Sequence, residues 1–304
     1  MQLDLSTPYC GQKNYLRLEY DRVTDKIVFM PCCFIKPLDN NMIEPIAWPS
    51  DYFINNIEKC IYEYTKYDLK DLNKLFKGTC CAVYPTSKKL CTNYKFNKSL
   101  SRIDTIDFGI SSFCNFKCVM CVHDKSYNQK EEYLYLKLLD YFKNRKDIKT
   151  SILSNKGEPF IYKEATFDYL ENSNSNVEII TNAMLLTQSD IIKLSKYRSK
   201  LKITVSCDGI TKETYEKIRV NGNFEKVINN IKLLNNFGLL YKVNYVLQDY
   251  NIHEQLDIKK FFENLGVTLN IYFDERSNIK SKIDESILTN YRLEFKDILK
   301  YKNK

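Results

Sequence analysis

Residues 103–121, IDTIDFGISSFCNFKCVMC, decide how the rest of the chain is read. Ile103–Ser111 is strand-like, and Cys114, Cys118 and Cys121 follow it directly. Three thiolates at this spacing can hold three irons of a four-iron cluster. The fourth iron is then left without a protein ligand, an open position where chemistry can occur. The blander alternative is structural zinc, with Cys114, Cys118, Cys121 and His123 as a Cys3His set. Only one residue separates Cys121 from His123, which is tight for a finger.

Downstream, strand-like runs alternate with amphipathic helical stretches, the signature of β/α units on a parallel sheet. The strands read Ile103–Ser111, Ile148–Ser154, Val177–Thr181, Leu201–Ser206, Tyr241–Leu247 and Thr268–Phe273. The clearest helix spans Phe224–Phe237, with Phe224, Val227, Ile228, Ile231 and Leu234 on one face. Another carries Ile258, Phe261, Phe262 and Leu265 and stops at Gly266; a last one carries Ile287, Tyr291, Phe295 and Ile298. Six such units make a three-quarter barrel whose strand C-termini share one end. The unusual polar residues cluster at those ends: Ser154–Pro159, Thr181-Asn182, Ser206–Gly209 and Tyr272–Arg276, with Asn244 inside the fifth strand. Alternation along the fourth strand sets Ser206 and Asp208 on one face and Cys207 on the other. Polar groups in register at the mouth of a parallel sheet suggest a ligand lying across it.

Upstream, Leu16, Leu18 and Tyr20 alternate with Arg17 and Glu19, and Ile27–Met30 answers across a polar turn, so a hairpin is expected. Three prolines over 36–50 read as an irregular loop, and Asp51–Phe76 reads as helix with Phe53, Ile57, Cys60 and Tyr64 on one face. Cys10, Cys32, Cys33, Cys80, Cys81 and Cys91 surround these elements. Cys60 and Cys207 fall in apolar patterns and are expected as core thiols.

The bulk numbers set the frame. The 304 residues are 44% hydrophobic and 28% charged, enough for a substantial core. No run is long and apolar enough to span a bilayer, and the N-terminus lacks a secretory pattern, so a cytoplasmic protein is expected. Eleven cysteines in such a chain point to metal or cluster ligation rather than disulfides. The net charge of +8 comes from 46 Lys and Arg scattered among 38 Asp and Glu, with no dense basic block, which argues against a nucleic-acid partner.

Taken in order, the motifs resemble those of radical S-adenosylmethionine (SAM) enzymes. The resemblance is carried by Cys114, Cys118 and Cys121, by SNKGEPF at 154–160, by TNAMLL at 181–186 and by SCDGITKETYEKIRVNGNFEKVINNIKLL at 206–234. It implies a partial (β/α)6 TIM-like barrel, a 4Fe-4S cluster, and SAM bound at the open iron. Reductive cleavage of SAM then yields a 5′-deoxyadenosyl radical that takes hydrogen from a substrate. By the resemblance, Gly157 and Glu158 receive the methionine amino group, Ser206 and Asp208 serve the ribose or carboxylate, and Asn182, Asn244 and Met120 are further SAM contacts. Val119 stands where an aromatic residue is frequent, and Lys156 where a first glycine is.

The N-terminal cysteines and hairpin resemble the SPASM or twitch auxiliary-cluster modules, which usually follow the barrel. The implied arrangement is a small cysteine-rich α+β module over 1–100 before a radical SAM core over 101–304. Its auxiliary iron–sulfur ligands would be Cys10, Cys32, Cys81 and Cys91, with Cys33 and Cys80 as substitutes and zinc as the alternative metal. Expected partners are a peptide or small-molecule substrate and an electron donor such as flavodoxin or ferredoxin. The alternatives are a carbohydrate dehydrogenase or epimerase of the same chemistry, and a non-catalytic zinc-binding interaction protein.

Overall fold

Alternation builds the first strand: Leu16, Leu18 and Tyr20 are buried on one side, while Arg17 and Glu19 face the other. The computed structural model describes residues 15–30, 47–66, 103–154 and 156–274. Nine strands form one sheet there: β1 (Tyr15–Asp21), β2 (Lys26–Met30), β3 (Ala47–Pro49), β4 (Thr105–Gly109), β5 (Thr150–Leu153), β6 (Asn176–Thr181), β7 (Leu201–Ser206), β8 (Leu240–Leu247) and β9 (Leu269–Phe273). Their order is β3-β2-β1-β4-β5-β6-β7-β8-β9. All six strands expected after residue 100 are present, each parallel to the next.

The hairpin joins this sheet. β1 pairs antiparallel with β2 and parallel with β4, in the register Arg17↔Asp107 and Leu18↔Phe108. The described residues before and after position 100 thus share one sheet and one hydrophobic core, in which Leu16, Leu18 and Phe29 belong with Phe108, Leu138 and Ile179.

The helices are α1 (Ser50–Asn55), α2 (Ile57–Thr65), α3 (Gln129–Lys143), α4 (Lys163–Asn172), α5 (Gln188–Ser195), α6 (Lys212–Ile218), α7 (Phe224–Asn236) and α8 (Ile258–Asn264). Four of them, α3, α5, α6 and α7, start at side chains that satisfy orphan backbone N–H groups. Asn128 accepts from Glu131 N at α3, Thr187 and Asp190 form a reciprocal capping box at α5, and Asn223 accepts from Lys226 N at α7. In the apolar stripe of α7, Val227, Ile228, Ile231 and Leu234 are buried and Phe224 is partly buried, and Gly266 follows α8 in the left-handed region at φ +67°.

Two expectations need correction. The stretch 36–50 is not irregular throughout: Ala47–Pro49 is a strand paired to β2, too short for alternation to reveal. The helix expected over 51–76 is interrupted at Asn56 (φ −138°), whose side chain donates to the Tyr52 carbonyl at 2.9 Å and competes with the helix ladder, and its stretch after residue 66 lies outside the described residues. Phe53, Ile57, Cys60 and Tyr64 are nonetheless all buried on one face. The expected helix around Ile287–Ile298 lies outside the described residues.

The two faces of the sheet differ sharply. Toward the helices point Ile106, Phe108, Ile179, Ile203, Val205, Val243 and Tyr245, all fully buried. Toward the other face point Arg17 and Asp107, then Glu178 beside Lys202, Thr204 beside Lys242, and Ser206, Asn244 and Asn270 across β7–β9. Closed β/α barrels fill their interior with branched apolar side chains. This sheet leaves its open face mostly polar, with Ile152, Ile180 and Val246 the apolar side chains among these.

Candidate active site

The cysteine loop leaves β4 at the end of the sheet where the parallel strands finish. Its conformation is set largely by the backbone. Lys117 N–H donates to Val220 O and Val119 N–H to Ile218 O, both at 3.0 Å, so Cys118 is bracketed by the chain that leaves α6. Cys121 N–H donates to Cys118 O at 3.1 Å, and Phe116 N–H reaches Cys114 Sγ at 3.4 Å. The Phe116 ring is fully buried, and a Cβ on Gly222 would stand 2.8 Å from Tyr215 and 3.3 Å from Phe116, so glycine is needed for this approach. Cys114, Cys118 and Cys121 are half-buried free thiols. Burial pushes the Cys114 and Cys118 thiols up, and among the surrounding charges Arg219 pulls Cys118 back down most strongly.

The Lys156-Gly157-Glu158-Pro159 loop packs directly on the loop's entry. Lys156 and Gly157 N–H both donate to Ser111 O (3.0 and 2.9 Å), and Glu158 N–H donates to Phe113 O at 3.0 Å. A Cβ on residue 157 would lie 2.0 Å from Phe113 O, so only glycine fits. The Glu158 side chain is 2% exposed. It accepts from Thr181 Oγ1 (2.6 Å), Asn182 N–H (2.8 Å) and Phe160 N–H (3.0 Å). Burial pushes this carboxyl up, against the pull of those three donors. With its oxygens so occupied, Glu158 anchors β5 to β6, and the groups this loop can offer a ligand are those of its backbone.

The turn after β6 completes that side. Asn182 Nδ2 donates to Asn115 Oδ1 at 2.9 Å and lies 3.9 Å from Cys114 Sγ, while its Oδ1 accepts from Met184 N–H. Between them Ala183 is buried at φ +60°, a left-handed conformation that costs an L-residue about 1–2 kcal/mol. Asn230 of α7 holds it, donating through Nδ2 to Ala183 O (2.9 Å) and Leu186 O (3.0 Å).

On the β7 side the outcome differs from the alternation argument. The strand ends at Ser206, so a period of two does not carry on to Asp208. Cys207 and Asp208 are both fully buried, and Ser206 alone of the three is partly open. Asp208 Oδ2 accepts from Arg219 Nε at 2.6 Å and pairs with Nη2 at 2.5 Å; Oδ1 accepts from Val246 N–H at 2.7 Å. Sequence reasoning missed Arg219. It follows the apolar Tyr215 and Ile218 by one turn and one residue, and nothing local marks it as a buried cation. Asn244 lies on the open face, where Asn270 Nδ2 reaches its Oδ1 at 3.5 Å. Met120 is partly buried within the cysteine loop. Val119, which replaces the frequent aromatic, is exposed.

The donor set fits the group that the spacing implies. Among the described residues no three His, Cys, Asp or Glu side chains are gathered closely enough to hold one ion, and His123 is exposed. A four-iron cluster binds each thiolate to its own iron and does not ask for that gathering. The Gly157 backbone, which admits no side chain, packs against the backbone of Ser112 and Phe113 just before Cys114. Cys10, Cys32, Cys33, Cys80, Cys81, Cys91 and Arg276 lie outside the described residues. No helix among the described residues is long and apolar enough to cross a membrane.

The chain resembles several known proteins. The chain is 26% identical over 167 residues to the antilisterial bacteriocin subtilosin biosynthesis protein AlbA of Bacillus subtilis, covering 52% of this chain and 36% of that one. It is 26% identical over 177 residues to a probable GTP 3′,8-cyclase of Methanocaldococcus jannaschii, covering 56% and 58%. A probable GTP 3′,8-cyclase of Methanococcus maripaludis is 30% identical over 183 residues, again covering 56% and 58%. The chain thus spans about half the length of these relatives, and about a third of AlbA. Among solved structures, Streptococcus suis SuiB bound to precursor peptide SuiA overlaps 72% of this chain and 51% of its own, at 16% identity and a TM-score of 0.49. Radical SAM proteins bind a 4Fe-4S cluster and SAM. The family model described as the Radical SAM superfamily matches residues 109–262, just over half of the chain and the whole of the loop system described above, and the chain belongs to that superfamily.

Proposed function

We propose that this chain is a radical SAM enzyme, with Cys114, Cys118 and Cys121 as the protein ligands of the SAM-binding cluster. The observation that carries the reading is the lacing of the three-thiol loop to the Gly157 loop, the Asn182 turn and the Ile218–Val220 segment. When bound, the cluster supplies the reductive cleavage of SAM that gives methionine and a 5′-deoxyadenosyl radical. The chain's own residues hold and shield. The backbone of Gly157 and Glu158 receives the methionine amino group. Ser206, partly open on the polar face, and Asn244 serve the ribose side. Asn182 orients the loop at Cys114, and Met120 would add a further contact to SAM. Asp208 acts indirectly, by fixing Arg219 beside Cys118. The sheet has the form of a partial (β/α)6 barrel, with substrate on its polar face.

That face favours a hydrophilic substrate. The resemblance to a bacteriocin biosynthesis protein supports a peptide side chain as the hydrogen donor. The resemblance to GTP cyclases supports a polar small molecule as the second reading. The N-terminal cysteines, with Cys10, Cys32, Cys81 and Cys91 as the first choice, are proposed to hold an auxiliary cluster, and a flavodoxin or ferredoxin to supply electrons. Anaerobically reconstituted protein with dithionite and SAM is expected to release 5′-deoxyadenosine, and Cys118→Ala to abolish it. Iron-loaded protein that forms none, with a peptide or a nucleotide present, sinks the reading. Bound zinc without iron sinks it as well.

A further inference from the structure

Two side chains tie the β1–β2 hairpin to the two loops of the SAM site. Arg22, in the hairpin turn, spreads its guanidinium over the cysteine loop. Nε and Nη2 donate to the two oxygens of Glu131 at 2.6 and 2.9 Å. Nη2 also donates to Ser112 Oγ and Ser126 O, each at 2.8 Å. Nη1 donates to Asp124 Oδ2 at 2.8 Å and Ser126 Oγ at 3.1 Å. Ser112 stands just before Cys114, and Asp124 and Ser126 just after Cys121. One side chain therefore holds both ends of the segment that carries the three thiols. Glu131, 1% exposed in the first turn of α3, works with it by accepting from Ser112 N–H at 2.8 Å.

The second tie runs the other way. Lys156, the residue that replaces a frequent glycine, sends Nζ to Tyr20 O at 2.7 Å and lies 3.5 Å from Glu19 Oε2. Its own carbonyl accepts from Lys125 Nζ at 2.6 Å, which closes the circuit back to the cysteine loop. The Lys156 side chain is 13% exposed, so this is no solvated surface pair.

The Arg22–Glu131 fork fixes the hairpin turn to α3. The remaining donors of Arg22 go to both flanks of the thiol segment, and Lys156 reaches β1 from the loop beside it. We propose that the β1–β2 hairpin is a built-in clamp of the cofactor site. Arg22 is a positioning residue that sets the gap between the two ends of the cysteine loop. Lys156 is a positioning residue that sets the Gly157 loop against β1. The proposal rests on the reading of Cys114–Cys121 as the SAM-cluster loop.

The test compares wild type, Arg22→Lys and Lys156→Met after anaerobic reconstitution. Iron per chain, iron release to a chelator, and the electron paramagnetic resonance spectrum of the reduced cluster with and without SAM are measured. Arg22→Lys keeps a cation beside Glu131 but loses the fork. Its iron is expected to leave at least about tenfold faster, since several charge-assisted hydrogen bonds are lost. Lys156→Met is expected to keep its iron, to show a weakened spectral change on adding SAM, and to raise KM for SAM about fivefold or more with a smaller effect on kcat, as loss of one charge-assisted hydrogen bond implies. Lys156→Arg, which can still reach Tyr20 O, is expected to recover the spectral change. Variants that match wild type in iron release and in the SAM-induced change overturn the clamp. If Arg22→Lys fails to fold, the Lys156 pair decides alone. A wild-type chain that takes up no iron, or whose cluster ignores SAM, overturns the functional reading and the clamp with it.

Discussion

Arg219 shows how much of this site rests on one residue. Its guanidinium and the Asp208 carboxylate form a buried ion pair, and the Arg219 charge acts on the Cys118 thiol. Removing one partner of such a pair leaves the other charged and unpaired, and typically costs about 3–5 kcal/mol. Arg219→Met is therefore expected to lower the unfolding free energy of the apo chain by about that amount in a urea titration. The double variant with Asp208→Asn should recover much of the loss, since no buried charge is then stranded. A loss below about 1 kcal/mol would place the pair with exposed salt bridges instead. Single residues were legible in the sequence where their type is itself the chemistry. Three cysteines, the Gly157-Glu158 pair and Asn182 stand out in a string, and the structure brings their loops together. Arg219 and Arg22 did not stand out, because a basic residue is a surface residue by default and its partner lies far along the chain. The Glu158 and Asp208 side chains show a related limit: sequence marks them as special, but only packing reveals that they are spent on the protein's own donors.

At the level of elements, the turn from β6 into α5 depends on a helix that belongs to the next β/α unit. Ala183 sits in the left-handed region, and Asn230 of α7 satisfies the carbonyls on either side of the turn. Asn230→Ala would leave two buried carbonyls short of a donor, at a cost of about 1–3 kcal/mol. The expected result is a lower urea midpoint with an unchanged slope, together with faster amide exchange over residues 181–187. Exchange unchanged there would show that the turn holds itself. The six parallel strands and the apolar stripes of α7 and α8 were readable because each is long enough for its period to repeat. β3 has three residues and the break at Asn56 one, so neither leaves a period to detect.

For the molecule as a whole, the hairpin is the decisive piece. β1 lies beside β4, and Leu16, Leu18 and Phe29 share the core of the parallel strands. A fragment beginning at residue 101 would lose these side chains, expose the β1-side edge of β4, and strand Glu131 in the interior without Arg22. Such a fragment is expected to aggregate, or to lose its near-ultraviolet circular dichroism, while the full chain unfolds in one transition over the described sheet. A fragment with native-like aromatic signals would instead show that the parallel strands stand alone. The hairpin itself was readable from alternation, but its neighbour in the sheet was not. Pairing of β1 with β4 joins residues about ninety positions apart, and no local pattern encodes that choice.

The cysteine loop is held at both ends by distant parts of the chain. Arg22 reaches Ser126 from 104 positions upstream, and the carbonyls of Ile218 and Val220 reach Lys117 and Val119 from about a hundred downstream. A ribosome delivers the N-terminal end first. When Cys121 emerges, Arg22 is already synthesised, but the downstream carbonyls of Ile218 and Val220 are still unwritten. The loop cannot take its native form until residue 220 has left the exit tunnel. A finished site for the iron centre thus waits for the chain as far as residue 220. A chain truncated before that point would carry all three thiols and no finished site for them.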